Sequence, residues 1–291
     1  MDAAGDVYAV GTANLTTTTK GKSTTQSYWT VREQIAGQSG FTTVDSVANG
    51  GTPNGVTVIG SGANAGIYVA GQAQKVSGGQ EDWVVRKSGN GGSTWSTVDD
   101  FEYGSGLHSE AEAVTADPAG NLYVVGWGVK AISGSTDTYD WLVRKSADGG
   151  ATWTINDDYH VSSNYAEAYA AGVDLAGNEY VVGQAEESSI WHSIVRTNTG
   201  GAWTTVDDFQ LAAGKTSIGR AFTVDSSGNL YDGGDAVDGS NTAHWIIRSA
   251  SGPATASSAA SVSSEAAVFF STLITSPIEQ TDVVHHRKRH G

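Results

Sequence analysis

The groups best suited to chemistry fall in three short segments. Glu110-Ala111-Glu112 and Glu167-Ala168-Tyr169 set acids and a phenol one residue apart, and Arg220 follows Gly219 just as Glu112 follows Ala111 and Tyr169 follows Ala168. A carboxylate beside a phenol can activate it as a nucleophile. Two carboxylates such as Glu112 and Glu167 can divide the acid and base work of glycoside hydrolysis. A third use breaks no bond. Trp127 and Trp191, with His108, His160, Tyr165, Lys215 and His244, lie in adjoining connections. Rings that stack on apolar faces, beside acids that accept hydroxyl or amine protons, suit a carbohydrate or a peptide. What decides among these uses is the set of elements that brings the residues together.

Other chemistries are excluded. The chain has no phosphate-binding loop, no His-Glu-Xaa-Xaa-His zinc spacing and no nucleophile elbow. Its 291 residues include no Cys, which rules out disulfides and thiolate metal sites. No metal and no cofactor is expected. A net charge of −15 gives a body that repels nucleic acid and anionic membranes. No run of ~18 apolar residues spans a bilayer, and Val268-Phe269-Phe270 sits in a patch too short to insert. The basic run His285-His286-Arg287-Lys288-Arg289-His290 reads as a solvated terminus and receives no function. With 38 Gly, nine Trp and only 16 % charged residues, the composition is that of a tightly turned β protein with a sizeable core, expected to be a monomer.

Internal repetition sets the architecture. Gly120-Asn121-Leu122-Tyr123-Val124-Val125-Gly126 returns as Gly177 to Gly183 and Gly228 to Gly234, with weaker copies around Tyr8 and Tyr68. An apolar pair ending in Arg recurs at Arg32, Arg86, Arg144, Arg196 and Arg248, at intervals of 54, 58, 52 and 52 residues. An aromatic followed by an acidic pair recurs from Trp95 to Phe101, Trp153 to Tyr159 and Trp203 to Phe209, with Phe41 to Val47 as a degraded copy. Within a unit the apolar pieces are short, rich in Val, Ile, Tyr and Trp, and bounded by Gly, Asn, Asp and Ser, which is how strands are written. In the third unit Ala111–Asp117, Leu122–Gly126, Asp140–Lys145 and Trp153–Asp157 read as strands A to D. Four antiparallel strands repeated every ~50 residues make an all-β chain, a β-propeller of five four-stranded blades.

Two phrases carry a family resemblance. Ser146-Ala147-Asp148-Gly149-Gly150-Ala151-Thr152-Trp153 resembles a full Asp-box (BNR-like repeat), the motif of sialidase-type and related propellers, placed between strands three and four of a blade. Ser88 to Trp95 matches it with Asn90 for Asp, Thr197 to Trp203 is one residue short, and the first and fifth units lack it. The Asp-Xaa-Xaa-Gly-Asn-Xaa-Tyr-Val-Val-Gly phrase resembles the bacterial beta-propeller repeat of secreted and surface proteins. The resemblance spans residues 1–250. It implies a propeller fold and an extracellular or cell-surface bacterial protein, although the chain carries no signal-peptide run. It does not imply catalysis, because unrelated functions share these blades. The box Asp reads as a turn residue and the repeated Arg as the partner of a repeated acid. A sialidase-like site would also need three arginines on the substrate carboxylate, and only Arg220 lies outside both the repeat register and the tail.

The blades are expected at about 1–48, 54–103, 110–160, 166–210 and 217–250, followed by a Ser/Ala-rich linker at 251–265 and a basic tail at 277–291. The first unit lacks strand A and the fifth lacks strand D. Residues 266–276 offer a closing strand, so the ring closes through the C-terminal segment or the chain is part of a longer propeller. Aligned on the A to B turn, with Gly62 standing in for its Asp, the inner strands place Thr57, Glu112, Tyr169 and Arg220 at one position. A site should break the symmetry of a repeat, and that position does. The expected function is a non-enzymatic binding or scaffolding module with a carbohydrate or protein ligand held by Glu110, Glu112, Glu167, Tyr169, Arg220, Trp127 and Trp191. The alternative is a sialidase-like glycoside hydrolase acting through Glu112, Tyr169 and Arg220.

Overall fold

The computed structural model describes residues 1–48, 51–74, 79–133, 136–161, 165–174 and 176–251. Among them it contains strands and no helix. The first sheet is β1 (Val7–Thr19), β2 (Lys22–Gln34) and β3 (Thr42–Ala48). The second is β4 (Thr52–Ile59), β5 (Gly66–Gln74), β6 (Glu81–Ser88) and β7 (Ser96–Phe101), and the third β8 (Ser109–Ala116), β9 (Leu122–Ser133), β10 (Thr136–Ser146) and β11 (Thr154–Tyr159). The fourth is β12 (Ala166–Val173), β13 (Glu179–Glu187), β14 (Ile190–Thr197) and β15 (Thr204–Phe209), and the fifth β16 (Ser217–Val224), β17 (Leu230–Val237) and β18 (Ala243–Ala250). Every pairing is antiparallel between chain neighbours. These are the five blades of a β-propeller. Among the described residues the three inner blades have four strands, and the first and last have three, without strands A and D respectively. The closing strand expected at 266–276 lies outside the described residues.

Successive blades abut, β1 against β4, β4 against β8, β8 against β12, and β12 against β16. The core therefore sits between sheets, which explains why β5 reads Ile67-Tyr68-Val69-Ala70 without alternation: a strand covered on both faces is apolar on both. Between the second and third blades Tyr68, Trp83 and Val85 meet Ala111, Val114, Leu122 and Leu142. Between the third and fourth, Tyr123, Trp141 and Val143 meet Ala166, Ala168, Val181 and Ile194. A Trp edge can lie this close to the neighbouring sheet only over glycine. A Cβ on Gly126 would stand 2.0 Å from the Glu110 carbonyl oxygen and 2.8 Å from the Trp83 ring, and one on Gly183 would stand 2.6 Å from the Trp141 ring.

The outer strands invert this polarity, since the most buried residue of β7 and of β11 is an acid, Asp99 and Asp157. Each takes the repeated arginine of the next blade. Arg144 donates to Asp99 at 2.7 and 2.8 Å, Arg196 to Asp157 at 2.7 and 2.9 Å, and Arg86 to Asp45 at 2.6 and 3.0 Å. Arg248 departs from the pattern, meeting Asp207 through one amino group and Asp232 of its own blade through the other. The guanidinium carbon also lies over a ring of the preceding blade, 3.8 Å from Phe101 for Arg144 and 4.2 Å from Tyr159 for Arg196. Fork-on-fork geometry, with a ring beneath Arg144 and Arg196, makes these arginines staples between blades.

The turn residues are structural too. Asp148 accepts from the Thr152 amide at 2.8 Å and the Ser146 hydroxyl at 2.9 Å, and Asn90 accepts from the Thr94 amide at 2.9 Å. These bonds hold Asp148 down to about 2, through the Thr152 hydroxyl first and then its amide. At the A to B turn, Asp117 accepts from the Asn121 amide at 2.9 Å, and Asp174 and Asp225 repeat the arrangement with Asn178 and Asn229.

Candidate functional site

Each inner strand carries a β-bulge at one register. The pairing skips a residue between Pro53 and Gly55, between Ala111 and Ala113, between Ala168 and Ala170, and between Gly219 and Ala221. The residues left unpaired are Asn54, Glu112, Tyr169 and Arg220. A bulge re-aims the side chain it frees, and bulges concentrate beside functional sites. Here four neighbouring strands do so together, each presenting a different polar group. Thr57, expected at this position, instead pairs regularly with Tyr68. The cause is the turn: residues 59–66 separate Val58 from Ile67, whereas only 117–121 separate Ala116 from Leu122, so alignment on Gly62 shifts the second blade by three positions. A different signal finds Asn54. All four bulged residues stand between Gly, Ala or Pro, and Pro53-Asn54-Gly55 fits that pattern.

The bulged side chains converge. Asn54 donates to Glu110 Oε1 and to the Ala111 carbonyl, both at 3.0 Å, crossing from the second blade to the third. Trp127 Nε1 donates to Glu112 at 3.2 Å. Tyr169 donates its hydroxyl proton to Glu167, and Gln184 Nε2 donates to Glu167 and, at 2.8 Å, to the Tyr169 oxygen. Arg220 donates to Asp235 at 2.7 Å, and its guanidinium carbon lies 5.6 Å from the Tyr169 ring centre.

The charges of these groups act on one another. Glu110 is pushed up to about 7 by burial first, then by the charge of Glu112, against the Asn54 bond, with Glu81 and Glu167 adding to the rise. Glu112 is raised by burial, partly relieved by Trp127; the charge of Glu167 raises it further, and Arg220 opposes the rise. Arg220 of the fifth blade and Glu112 of the third occupy the same bulge register on their inner strands. Tyr169 is raised, by burial and then by Glu167, which disfavours its phenolate.

Beside the acids runs a ladder of rings. Centroids stand 4.7 Å apart from His108 to Trp127, 4.8 Å on to Tyr139, 4.9 Å to Tyr165 and 6.0 Å to Trp191. Trp127 and Trp191 lie within β9 and β14, not in connections, because strands B and C run past the blade body as a long hairpin. Tyr139 is a rung that the sequence reading missed. The ladder touches the acids through Trp127 and through His108, whose Nε2 is 2.7 Å from Gln72 Oε1 and 3.8 Å from Glu110. Of the other expected residues, Lys215 donates to Asn241 and His244 meets Asp238.

His160 belongs elsewhere, with Asp140 and Asp158, a group whose ligand atoms lie close enough for a metal. Lys130 Nζ already stands 3.2 Å from Asp140 and 3.8 Å from Asp158, and the Tyr103 hydroxyl lies 2.8 Å from each. An ammonium thus supplies the positive charge there. Glu187, His192 and Asp208 form a second such group at the surface, where His192 takes Asp208 at 2.6 Å.

No family model matches the chain, and no curated protein does. Solved structures do. The chain is similar to a protein of unknown function from Dyadobacter fermentans, at 13 % identity over 76 % of this chain and 68 % of that one, with a TM-score of 0.51. A thermostable family-43 glycoside hydrolase matches at 11 % identity over 84 % and 90 % of the two chains, with a TM-score of 0.43. An α-L-arabinanase from Penicillium chrysogenum, solved with arabinobiose, matches at 10 % identity over 77 % and 89 %, also with a TM-score of 0.43. At these identities the likeness concerns the fold alone.

Proposed function

We propose that the chain is a binding propeller that holds a carbohydrate at the mouth of its channel without turning it over. One observation carries the reading. Four successive bulges aim an amide, a carboxyl, a phenol and a guanidinium at one place, next to a ladder of rings that suits the apolar faces of sugars. The groups that catalysis would need are already engaged with one another. Tyr169 keeps its proton in a bond to Glu167, which makes it a poor nucleophile, and Arg220 is neutralised by Asp235. The remaining repeat arginines from Arg86 to Arg248 staple blades, so no arginine cluster is left for a substrate carboxylate. Among the described residues the buried Gln184 Oε1 has no donor, an acceptor that a sugar hydroxyl can use.

A second reading, a glycoside hydrolase, is favoured by Glu110 alone. A carboxyl held near 7 beside other carboxylates has the properties of a general acid. The Asp-box-like turns and the low Lys content support an extracellular or surface setting for either reading. A glycan array and a panel of fluorogenic glycosides, sialosides included, separate the two. Retention on glycans without turnover is the expected result. Turnover that disappears in Glu110→Gln or Tyr169→Phe would replace binding by hydrolysis, and retention on proteins but not glycans would change the ligand class.

A further inference from the structure

The two ends of the array are complementary halves of the interface that repeats inside it. At each of the first two blade junctions, and again at the third, the C-strand register is known: Trp29, Trp83 and Trp141 are 1 %, 0 % and 0 % exposed, and Val31, Val85 and Val143 two residues on are fully buried. In the last blade the same register holds Trp245 and Ile247, which are 80 % and 60 % exposed. They border a shallow cavity of about 290 Å³ with Phe222, Tyr231 and Gly233. An apolar face of this kind marks an interaction surface.

The receiving half is at the other end. Gly126 and Gly183 each take the ring edge of the preceding blade's Trp. Gly11 holds the same register in β1, paired with Thr30 as Gly126 is with Leu142, and a Cβ there would meet nothing within 4 Å. Arg32 stands where the staple arginines stand. It is exposed, lies over the Phe41 ring at 5.9 Å, and among the described residues has no carboxylate partner. The ends do not satisfy each other within one molecule, since β16–β18 and β1–β3 share no contact comparable to those between successive blades, among the described residues.

We propose that the face carrying Trp245 and Ile247 docks on the Gly11 face of a second copy of this chain. The Trp then takes the notch that Trp83 and Trp141 take inside, and the contact is head to tail. Because it uses two different surfaces, it leaves one of each free and can continue into a ring or a row. Among the described residues no strand pairs with the inner edge of β1, which makes this contact smaller than an internal junction, so association is reversible and grows with concentration. It stands in place of the monomer expected from the sequence, and because the same cavity borders Arg220 and Asp235 it adjoins the proposed ligand site.

The test uses the full chain and two variants, with circular dichroism to show that each is folded. Trp245→Glu charges the donor face, and Gly11→Leu fills the notch from a position where an added Cβ meets nothing within 4 Å in the single molecule. Sedimentation velocity over a hundredfold range of concentration should show oligomers for the unaltered chain and monomer for each variant alone. An equimolar mixture of the two variants should give a heterodimer and nothing larger, because each keeps one intact end. A wild-type monomer throughout, or variants that do not combine, overturns the proposal. So does loss of association in Trp245→Glu but not in Gly11→Leu, which would mean that another surface covers the tryptophan.

Discussion

Trp141 and Trp245 hold the same register in the third and fifth blades and meet opposite surroundings. Trp141 is sealed between two sheets, its edge on Gly183 and Tyr159 at right angles 6.2 Å away. Trp245 looks out from the last sheet. The strand beneath differs as well. Tyr123-Val124-Val125 in the third blade becomes Tyr231-Asp232-Gly233 in the fifth, and the buried Asp232 joins Asp207 on Arg248. A repeated residue is thus not a repeated energy. What a tryptophan or an arginine contributes depends on whether another blade follows.

The sharpest way to break this comparison is to remove both rings. Trp141→Ala should destabilise the fold by ~3–5 kcal/mol, the usual cost of a large cavity in a sealed core, while Trp245→Ala in dilute solution should change stability by less than ~0.5 kcal/mol. Urea unfolding at micromolar concentration compares them directly, and equal losses would mean that Trp245 is covered. The staples allow the same contrast with charge. Asp99→Ala leaves Arg144 buried without its partner and should cost ~3–5 kcal/mol. Asp235→Ala removes the partner of the half-exposed Arg220 and should cost ~0–1 kcal/mol.

A third contrast lies within one register of strand B. Leu122 and Leu230 become Glu179 in the fourth blade, and that side chain is almost fully buried. Asn198 donates to its Oε2 at 2.6 Å, while Oε1 has no partner among the described residues. Burial, and then the charge of Asp117, push Glu179 up to about 8. The folded state therefore keeps a proton that the unfolded chain releases above the ordinary carboxyl range of about 4.3. This contribution is fully present at low pH and is lost as pH rises towards 8, with a fall on the order of 5 kcal/mol. Glu179→Gln should flatten that slope in melts taken from pH 4.5 to 8. An unchanged slope would assign it to other groups.

The legible and the illegible parts of this molecule divide along physical lines. Blade number, strand order and the three-stranded first and last blades follow from spacing, because the register of Tyr, Gly and Arg is fixed by one packing solution repeated. The arginine partners were legible as a type but not as a place. Arg144 sits on the strand next to the acids of its own blade and yet bonds Asp99 of the blade before. The bulges leave no mark on hydrophobic alternation, only on the small residues that flank them, and the longer turn of the second blade put Thr57 in the place of Asn54. Tyr139 stayed hidden because strands β9 and β10 run past the blade body, and length beyond the core has no apolar pattern to betray it.

The rim offers the smallest effect on stability and the most informative one on function. Glu112→Gln keeps an oxygen for Trp127 Nε1 and removes a charge from a crowded group of acids, so stability should shift by less than ~0.5 kcal/mol. The charge of Glu112 is the second cause, after burial, of the rise of Glu110 to about 7. Without it Glu110 should titrate lower and stay ionised into mildly acid solution. If Glu110 accepts a ligand hydroxyl as a carboxylate, glycan retention by the unaltered protein declines as pH falls through 7, and in Glu112→Gln the midpoint of that decline moves down. Retention measured from pH 5 to 8 on the best array hit reads both. A midpoint that stays in place would separate Glu110 from the ligand and leave Tyr169, Gln184 and the ring ladder to hold it.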